Sequence, residues 1–527
     1  MVFFTLSITH VGLAFTLLVV YIIARTTSWK HSSLPLPPGP RRIPLIGNLL
    51  DMPSKKEWET FAKWEEKYGA TCLILVFGQT MIILNSTEHA VELLDKRSAI
   101  YSDRPIVPMG GELVGWNRAI GLLPYGKRFK KYRRLAKQLF GSPKTMEAFH
   151  PVEEEEAHRL LKRVVSNPEE FANHIQKMAG ATILRVTHGY RVQEGEDPFV
   201  KLADKAMLQF AASTSSTGFM VNMIPARVSF QLTLLCSVPT VKYVPEWVPG
   251  AGFHKIAKEW ATNLEETVEL PFEWVKAQMA NGTAEMSFLS SMLSQQPTSK
   301  EEEYDVKWTA SSLYTGETFY ILPTNDSRTG VAQVSFFKAM LLWPDVVKKA
   351  QAEIDRVIGN DRLPTFADRP NLPYLNALAL ETFRWHCAGP TGIPHRLMAD
   401  NIYNGYFIPK GRQMTHNPST YPDPWVFKPE RFLTIDGQEP QMDPRDLCFG
   451  FGRRICPGRV LADASVFISC AMILAVFDIS PYVENGVPDA PPDIEQEPGL
   501  VSHPSKFRCS ITPRSNKALS LIMGDES

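Results

Sequence analysis

Phe449-Gly450-Phe451-Gly452-Arg453-Arg454-Ile455-Cys456-Pro457-Gly458-Arg459 runs straight into a strongly apolar helix expected over 459–477. The stretch sets a cysteine in a glycine-rich loop at a helix N-terminus, with cationic side chains beside it. Orphan N–H groups and the positive end of the helix dipole favour the thiolate there, and a thiolate can ligate a metal. The glycines let backbone approach a flat ring closely. Gly450-Phe451-Gly452 lacks the third glycine and the βαβ setting of a dinucleotide fingerprint. The plain alternative is a buried cysteine in an ordinary loop.

Two patterns lie upstream. Glu381-Thr382-Phe383-Arg384 puts an acid and a base at i,i+3 on one helix face, and Pro429-Glu430-Arg431-Phe432 follows. Alone, the first is an ordinary solvated pair. In this order, the three resemble the E-x-x-R, PERF and F-x-x-G-x-R-x-C-x-G motifs of the cytochrome P450 monooxygenases. The resemblance covers nearly the whole chain. In detail it is similar to the fungal microsomal branch, of the O-methylsterigmatocystin oxidoreductase-like kind. Residues 348–359 (KKAQAEIDRVIG), 372–378 (LPYLNAL) and Pro394-His395-Arg396 support it.

The resemblance implies a mainly α fold with small β-sheets. It makes Cys456 the axial thiolate ligand of haem b, with Phe449 and Gly458 in the cofactor-binding loop. Arg133, Arg396 and Arg454 would meet the haem propionates, and guanidinium forks suit carboxylates. Glu381, Arg384 and Arg431 would form a buried charge network fixing the cysteine loop. Arg133 stands in Phe129-x-x-x-Arg133, where the family usually has tryptophan, so an indole N–H donor is missing.

Composition agrees with a globular enzyme. Among 527 residues, 56 Lys+Arg balance 56 Asp+Glu, which argues against a nucleic-acid binder. A hydrophobic share of 44% supplies ample core and excludes a disordered chain. The cysteines are scattered without a CxxC pair, as suits a reducing compartment. Helical patterning dominates: 57–68, 128–139, 146–165, 168–187, 197–213, 252–279, 331–357 and 372–385 read as helices. Short strands are expected over 71–77, 80–84 and near 396–408. No flexible linker interrupts residues 50–515. The chain therefore divides into an anchor (1–24), a basic and Pro-rich hinge (25–45), a haem-thiolate domain (46–515) and a tail (516–527).

Residues 2–24 carry no Asp, Glu, Lys or Arg, and 11–23 (VGLAFTLLVVYII) are almost wholly apolar. That is about the length of a membrane-crossing helix. Arg25, Lys30, Arg41 and Arg42 follow, so the positive-inside rule keeps the body cytosolic. A cleaved signal peptide is the alternative, without a basic stretch before the apolar run or a small-x-small site after it. The expected setting is the endoplasmic reticulum membrane, single-pass. Residues 34–40 (LPLPPGP) would stiffen the connection.

Two segments depart from the family pattern. Between 308–316 and 331–343, where the family places a small-Gly-x-acid-alcohol signature on a long helix, this chain has ETFYILPTNDSRTG. Pro323 breaks helical bonding, and Glu317-Thr318 is the acid-alcohol pair that remains, displaced by one position. Ordinary helix-surface residues are the alternative for that pair. After Gly411, residues 412–418 (RQMTHNP) fall roughly seven residues short, about one strand. The two departures together suggest a mis-spliced or mispredicted gene product.

The expected function is a monooxygenase that puts one oxygen atom from O2 into an apolar small molecule, in fungal secondary or xenobiotic metabolism. NADPH–cytochrome P450 reductase, with cytochrome b5 as a second donor, would supply electrons. The basic run 127–137 would face that partner, or else be a plain solvated face. Thr391, Ile393 and the loop 105–122 would face substrate. Two alternatives stand beside this reading: an isomerase or dehydratase on the same fold, and a catalytically impaired haem protein.

Overall fold

The computed structural model describes residues 34–44, 46–53, 55–76, 79–215, 219–223, 246–247, 251–295, 299–319, 331–410, 413–416, 421–435, 437–497 and 501–524. The expected anchor (1–24) and Cys236 lie outside them. Helices make up most of the described residues, with small sheets beside them. The principal helices are α1 (Glu57–Tyr68), α2 (Lys127–Phe140), α3 (His150–Ser166), α4 (Phe171–His188), α5 (Pro198–Thr214) and α6 (Phe253–Ala280). They continue with α7 (Lys300–Phe319), α8 (Val331–Leu342), α9 (Pro344–Val357), α10 (Pro373–Trp385) and α11 (Arg459–Val476).

Proline places several of the boundaries. The single helix expected over 331–357 is two, because Pro344 starts α9 and Trp343 leaves helical geometry. Pro at the first position lacks an N–H that would have gone unpaired in any case. The helix expected over 146–165 is likewise split: a 3₁₀ turn at Glu147–Phe149 precedes α3, with Pro151 in its first turn. At α5 the Asp197 carboxylate accepts from the N–H groups of Phe199 and Val200, a side-chain N-cap.

The main core packs α11 against α3, α4, α8, α9 and α10. Among the described residues α11 is the helix apolar and long enough to cross a bilayer, yet 72% of it is buried, so it is a core helix. The segment from 516, expected as a tail, forms the helix Asn516–Met523, with Ala518 and Ile522 in that same core.

Strands β1 (Thr71–Val76), β2 (Gln79–Leu84), β3 (His395–Arg396) and β6 (Gln413–His416) form one sheet in the order β1-β2-β6-β3. Strands β4 (Asn401–Tyr403) and β5 (Tyr406–Ile408) make a separate hairpin. The short stretch after Gly411 does not leave the interior place of the sheet open. β6 fills that place, parallel to β2 with Ile82 opposite Met414, and antiparallel to β3 with His395 opposite Met414. The proline-rich stretch is fastened to these strands: Leu73 N donates to Pro38 O (2.8 Å) and Phe407 N to Pro35 O (2.8 Å). Gly39 lies so close to the Leu73 carbonyl that a Cβ has no room.

Candidate active site

Gly458 caps α11, and Cys456 stands just before it. The Cys456 N–H donates to the Phe449 carbonyl at 2.8 Å, closing the loop on itself. Gly450 and Gly452 take φ of +77° and +54°, left-handed backbone that a side chain would strain. At Gly452 a Cβ would also run into the Leu94 carbonyl. The loop opens onto a cavity with about 1470 Å³ of atom-free space including its mouth, lined here by Phe449, Gly450, Cys456, Pro457, Gly458 and Leu461. Phe449 packs edge-on against Phe383 of α10, centroids 5.3 Å apart.

One wall of this cavity is cationic: Arg104, Arg133 and Arg454 all line it. Arg454 is buried, and its fork donates to the carbonyls of Ser102 (2.6 Å), Ile120 (3.1 Å) and Leu123 (2.7 Å). Its guanidinium lies 3.7 Å from the centre of the Phe129 ring. Phe129 thus packs the face of its ring against Arg454. Burial pulls the Arg454 guanidinium below its ordinary pKa, with Arg104 pulling the same way and Asp103 opposing. Arg133 donates from Nη1 to Ile455 O at 2.8 Å, one residue before Cys456. Burial lowers its pKa too, and the nearby Cys456 opposes that shift. Among the described residues, neither Arg133 nor Arg454 has a carboxylate within ion-pair distance. Buried cations so placed call for an anion from elsewhere.

The remaining walls are largely apolar, with Trp116, Leu122, Phe140, Ile183, Met207 and Phe210. A flat apolar ring system carrying carboxylates and taking a sulfur ligand fits this donor set: Cys456 at one side, guanidinium groups at the edge, apolar faces between.

Arg396 is placed differently from the sequence expectation. Its Nε donates to Asp103 Oδ2 at 2.9 Å and its Nη2 to the same oxygen, while its backbone bridges Asp103. At this strand it is His395 that lines the cavity, its Nδ1 donating to Tyr101 O at 2.8 Å. Ile393 also lines the cavity, as do Gly389 and Gly392, whereas Thr391 is buried outside the lining. From the loop 105–122, Trp116, Ala119, Ile120, Gly121 and Leu122 reach the cavity.

Glu381 is fully buried. Arg384 donates to it from Nε (2.6 Å) and Nη2 (3.0 Å), and Arg431 Nε lies 3.5 Å from its Oε1. Both arginines also hold the loop ahead of PERF. Arg384 donates to Pro424 O (2.8 Å) and Val426 O (3.1 Å), and Arg431 to Pro422 O (2.5 Å) and Asp423 O (2.8 Å). Burial pushes the Glu381 carboxyl upward, and Arg384 counters it first.

On α7, Ser312, Leu313, Thr315 and Gly316 line the cavity. The Ser312 hydroxyl donates to Trp308 O (2.6 Å) and accepts from Ile120 N (3.0 Å); Thr315 donates to Ser311 O (2.7 Å). Glu317 and Thr318 fall in the last turn of α7, and their side chains lie outside the described residues. Sequence reading missed Arg104, His395, Ser312, Thr315 and Cys448 as lining groups. Arg104 had a signal, a cation before a turn-forming proline in Ser102-Asp103-Arg104-Pro105.

Comparison with known proteins agrees with this geometry. The cytochrome P450 family model matches residues 37–511. Cytochrome P450 monooxygenase 208 of Postia placenta is 45% identical over 517 residues, covering 97% of this chain and 96% of its own length. Cytochrome P450 monooxygenase claR of Ampulloclitocybe clavipes is 42% identical, with 99% and 94% covered. The O-methylsterigmatocystin oxidoreductase of Aspergillus flavus is 36% identical, with 97% and 94% covered. A cysteine loop, a cationic wall and a full-length match of this depth lead to one conclusion: the chain belongs to the cytochrome P450 family, as an oxidoreductase of the monooxygenase type.

Proposed function

We propose that the chain is a membrane-anchored haem-thiolate monooxygenase that oxygenates an apolar small molecule with electrons from NADPH. The observation that carries this is the opening of Cys456 onto a largely apolar cavity whose opposite chemistry is a wall of guanidinium groups. Bound there, haem b supplies dioxygen activation, with electron density from the thiolate favouring O–O cleavage. Cys456 would provide the sulfur ligand, while Phe449 and Gly458 keep the ring close to the loop. Arg133 and Arg454 would hold the propionates, joined by Arg104 and His395 on the lining. Arg396 would contribute by pairing with Asp103. Glu381, Arg384 and Arg431 would keep the Cys loop in register.

Substrate would be enclosed by Trp116, Met207, Phe210 and Ile393, which exclude water from the reacting carbon. Thr391 would act behind that surface. Ser312 and Thr315 have hydroxyl protons committed to carbonyls one turn back on α7; Glu317 and Thr318, displaced by one position, would be the poorer proton relay that remains. On α2, Lys127, Lys130, Arg134 and Lys137 are exposed and recur at helical spacing, giving one basic face next to the Cys loop. Arg128 and Lys131 are turned instead to Asp305 and its neighbours on α7. The exposed face suits an acidic reductase, NADPH–cytochrome P450 reductase or cytochrome b5. Residues 1–24 would anchor the chain in the endoplasmic reticulum membrane with the body cytosolic.

Reduced protein under carbon monoxide should show the red-shifted Soret band of a thiolate-ligated haem. Folded, haem-supplied protein without that band would reject the reading. Product oxygenation that depends on reductase and NADPH separates a monooxygenase from an isomerase on the same fold.

A further inference from the structure

Asp103 lies behind the cationic side of the cavity, next in sequence to the lining residue Arg104. Its Oδ2 takes both Nε and Nη2 of Arg396, and its Oδ1 accepts the Tyr125 N–H at 2.8 Å. Its backbone carbonyl accepts the Arg396 N–H at 2.8 Å. The adjacent Arg104 points the other way, into the cavity, and donates to Gly121 O (2.9 Å), Ile393 O (2.7 Å) and Pro394 O (2.9 Å). Two neighbouring residues therefore tie together three segments that line or flank the cavity: 101–104, 120–125 and 393–396. The Asp103 carboxylate is buried, with 9% of its side chain exposed, so its charge is little screened by water.

We infer that Asp103 is a positioning and charge-balancing residue for the haem: it neutralises Arg396 and leaves Arg104, Arg133 and Arg454 to face the propionates. This rests on the haem-thiolate reading above. Among the described residues Arg396 lies on this side with Arg104, Arg133 and Arg454, and Asp103 offsets its charge. The β-bridge between Asp103 and Arg396 fixes the backbone from which Arg104 reaches the cavity. Without the Asp103 charge, the field at the iron becomes more positive. A more positive field favours the reduced, less positive iron.

The test is a double-mutant cycle on the full chain loaded with haem. Asp103→Asn should raise the haem midpoint potential in a spectroelectrochemical titration, and Arg396→Gln should lower it. The double variant Asp103→Asn/Arg396→Gln should return close to the wild-type potential, because the net charge is restored. A purely structural role would give potentials that do not follow charge, with the double variant at least as displaced as either single one. That outcome overturns the inference, as does an unchanged potential in a folded Asp103→Asn variant. Asp103→Glu, which keeps the charge, holds the wild-type potential if the inference is right and keeps the cycle readable if Asp103→Asn folds poorly. Wild-type chain that takes up hemin without thiolate ligation, or takes up none, defeats the underlying reading and the inference with it.

Discussion

Arg384 Nε sits 2.6 Å from Glu381 Oε2, a buried acid–base contact on one face of α10. Neither side chain has water to fall back on. Glu381 also accepts the Lys428 N–H at 2.5 Å, so the contact reaches into the loop before PERF. Replacing Glu381 by alanine leaves two buried guanidinium groups without their counter-charge. A loss of about 3–5 kcal/mol is expected, read as a lower midpoint in urea denaturation. Arg384→Lys in the otherwise unchanged chain should lose less, since an ammonium keeps the charge and loses only the fork.

Cys456→Ser should keep the fold and lose the chemistry. Cys456 is partly exposed on a cavity wall and contributes little to the core. The variant should melt within a few degrees of wild type while its reduced carbon monoxide complex lacks the red-shifted band. A retained band would move the ligand to another sulfur, for which Cys448 on the same cavity is the candidate.

Phe129 supports Arg454 through the face of its ring. Phe129→Leu keeps an apolar side chain and removes the π face, which for a desolvated pair costs about 2 kcal/mol. Haem should leave the variant faster than wild type in a transfer assay to a haem-scavenging protein.

Asp204 gives a pH signature. Burial pushes its carboxyl up to about 6 from an ordinary 3.8, and its hydrogen bond from Gln176 only partly opposes the shift. Between those values the folded chain keeps a proton that the unfolded chain has lost. The burial penalty on the charged form is therefore absent below about pH 3.8, grows as pH rises, and is complete once pH passes about 6. Asp204→Asn should raise the melting temperature at pH 7.5, by the equivalent of about 2–3 kcal/mol at most, and leave it unchanged at pH 3.5.

Residues 317–330 should uncouple electron use from oxygenation. A proline-free helical replacement carrying an acid-alcohol pair should raise the ratio of oxygenated product to NADPH consumed. We read the segment, together with the short stretch after Gly411, as the mark of a mis-spliced or mispredicted transcript. A message encoding both stretches unchanged would defeat that reading.

The motifs that carry chemistry were legible because each is local: a cysteine loop, an i,i+3 pair, a PERF turn. Helix positions follow from periodicity, which runs on through the proline dividing 331–357 and the 3₁₀ turns within 146–165 and 168–187. At Pro344 the apolar pattern runs on across the break, so periodicity outweighed the missing N–H. The direction in which Arg396 faces is out of reach of the sequence for a different reason. Adjacent residues on a strand point to opposite faces, and the pleat of β3 gives His395 to the cavity and Arg396 to Asp103. Residue chemistry named the cation; only pairing across 293 positions of sequence could show which way it turns.

Arg384 of α10 and Arg431 of PERF grip the chain by its carbonyl oxygens at Pro422, Asp423, Pro424 and Val426. Every residue offers such an oxygen, whatever its side chain. The hold on the loop is therefore indifferent to most of its side chains, Asp423 excepted, whose φ of +47° few residues adopt. A segment that varies widely in letters can be strictly inherited in shape.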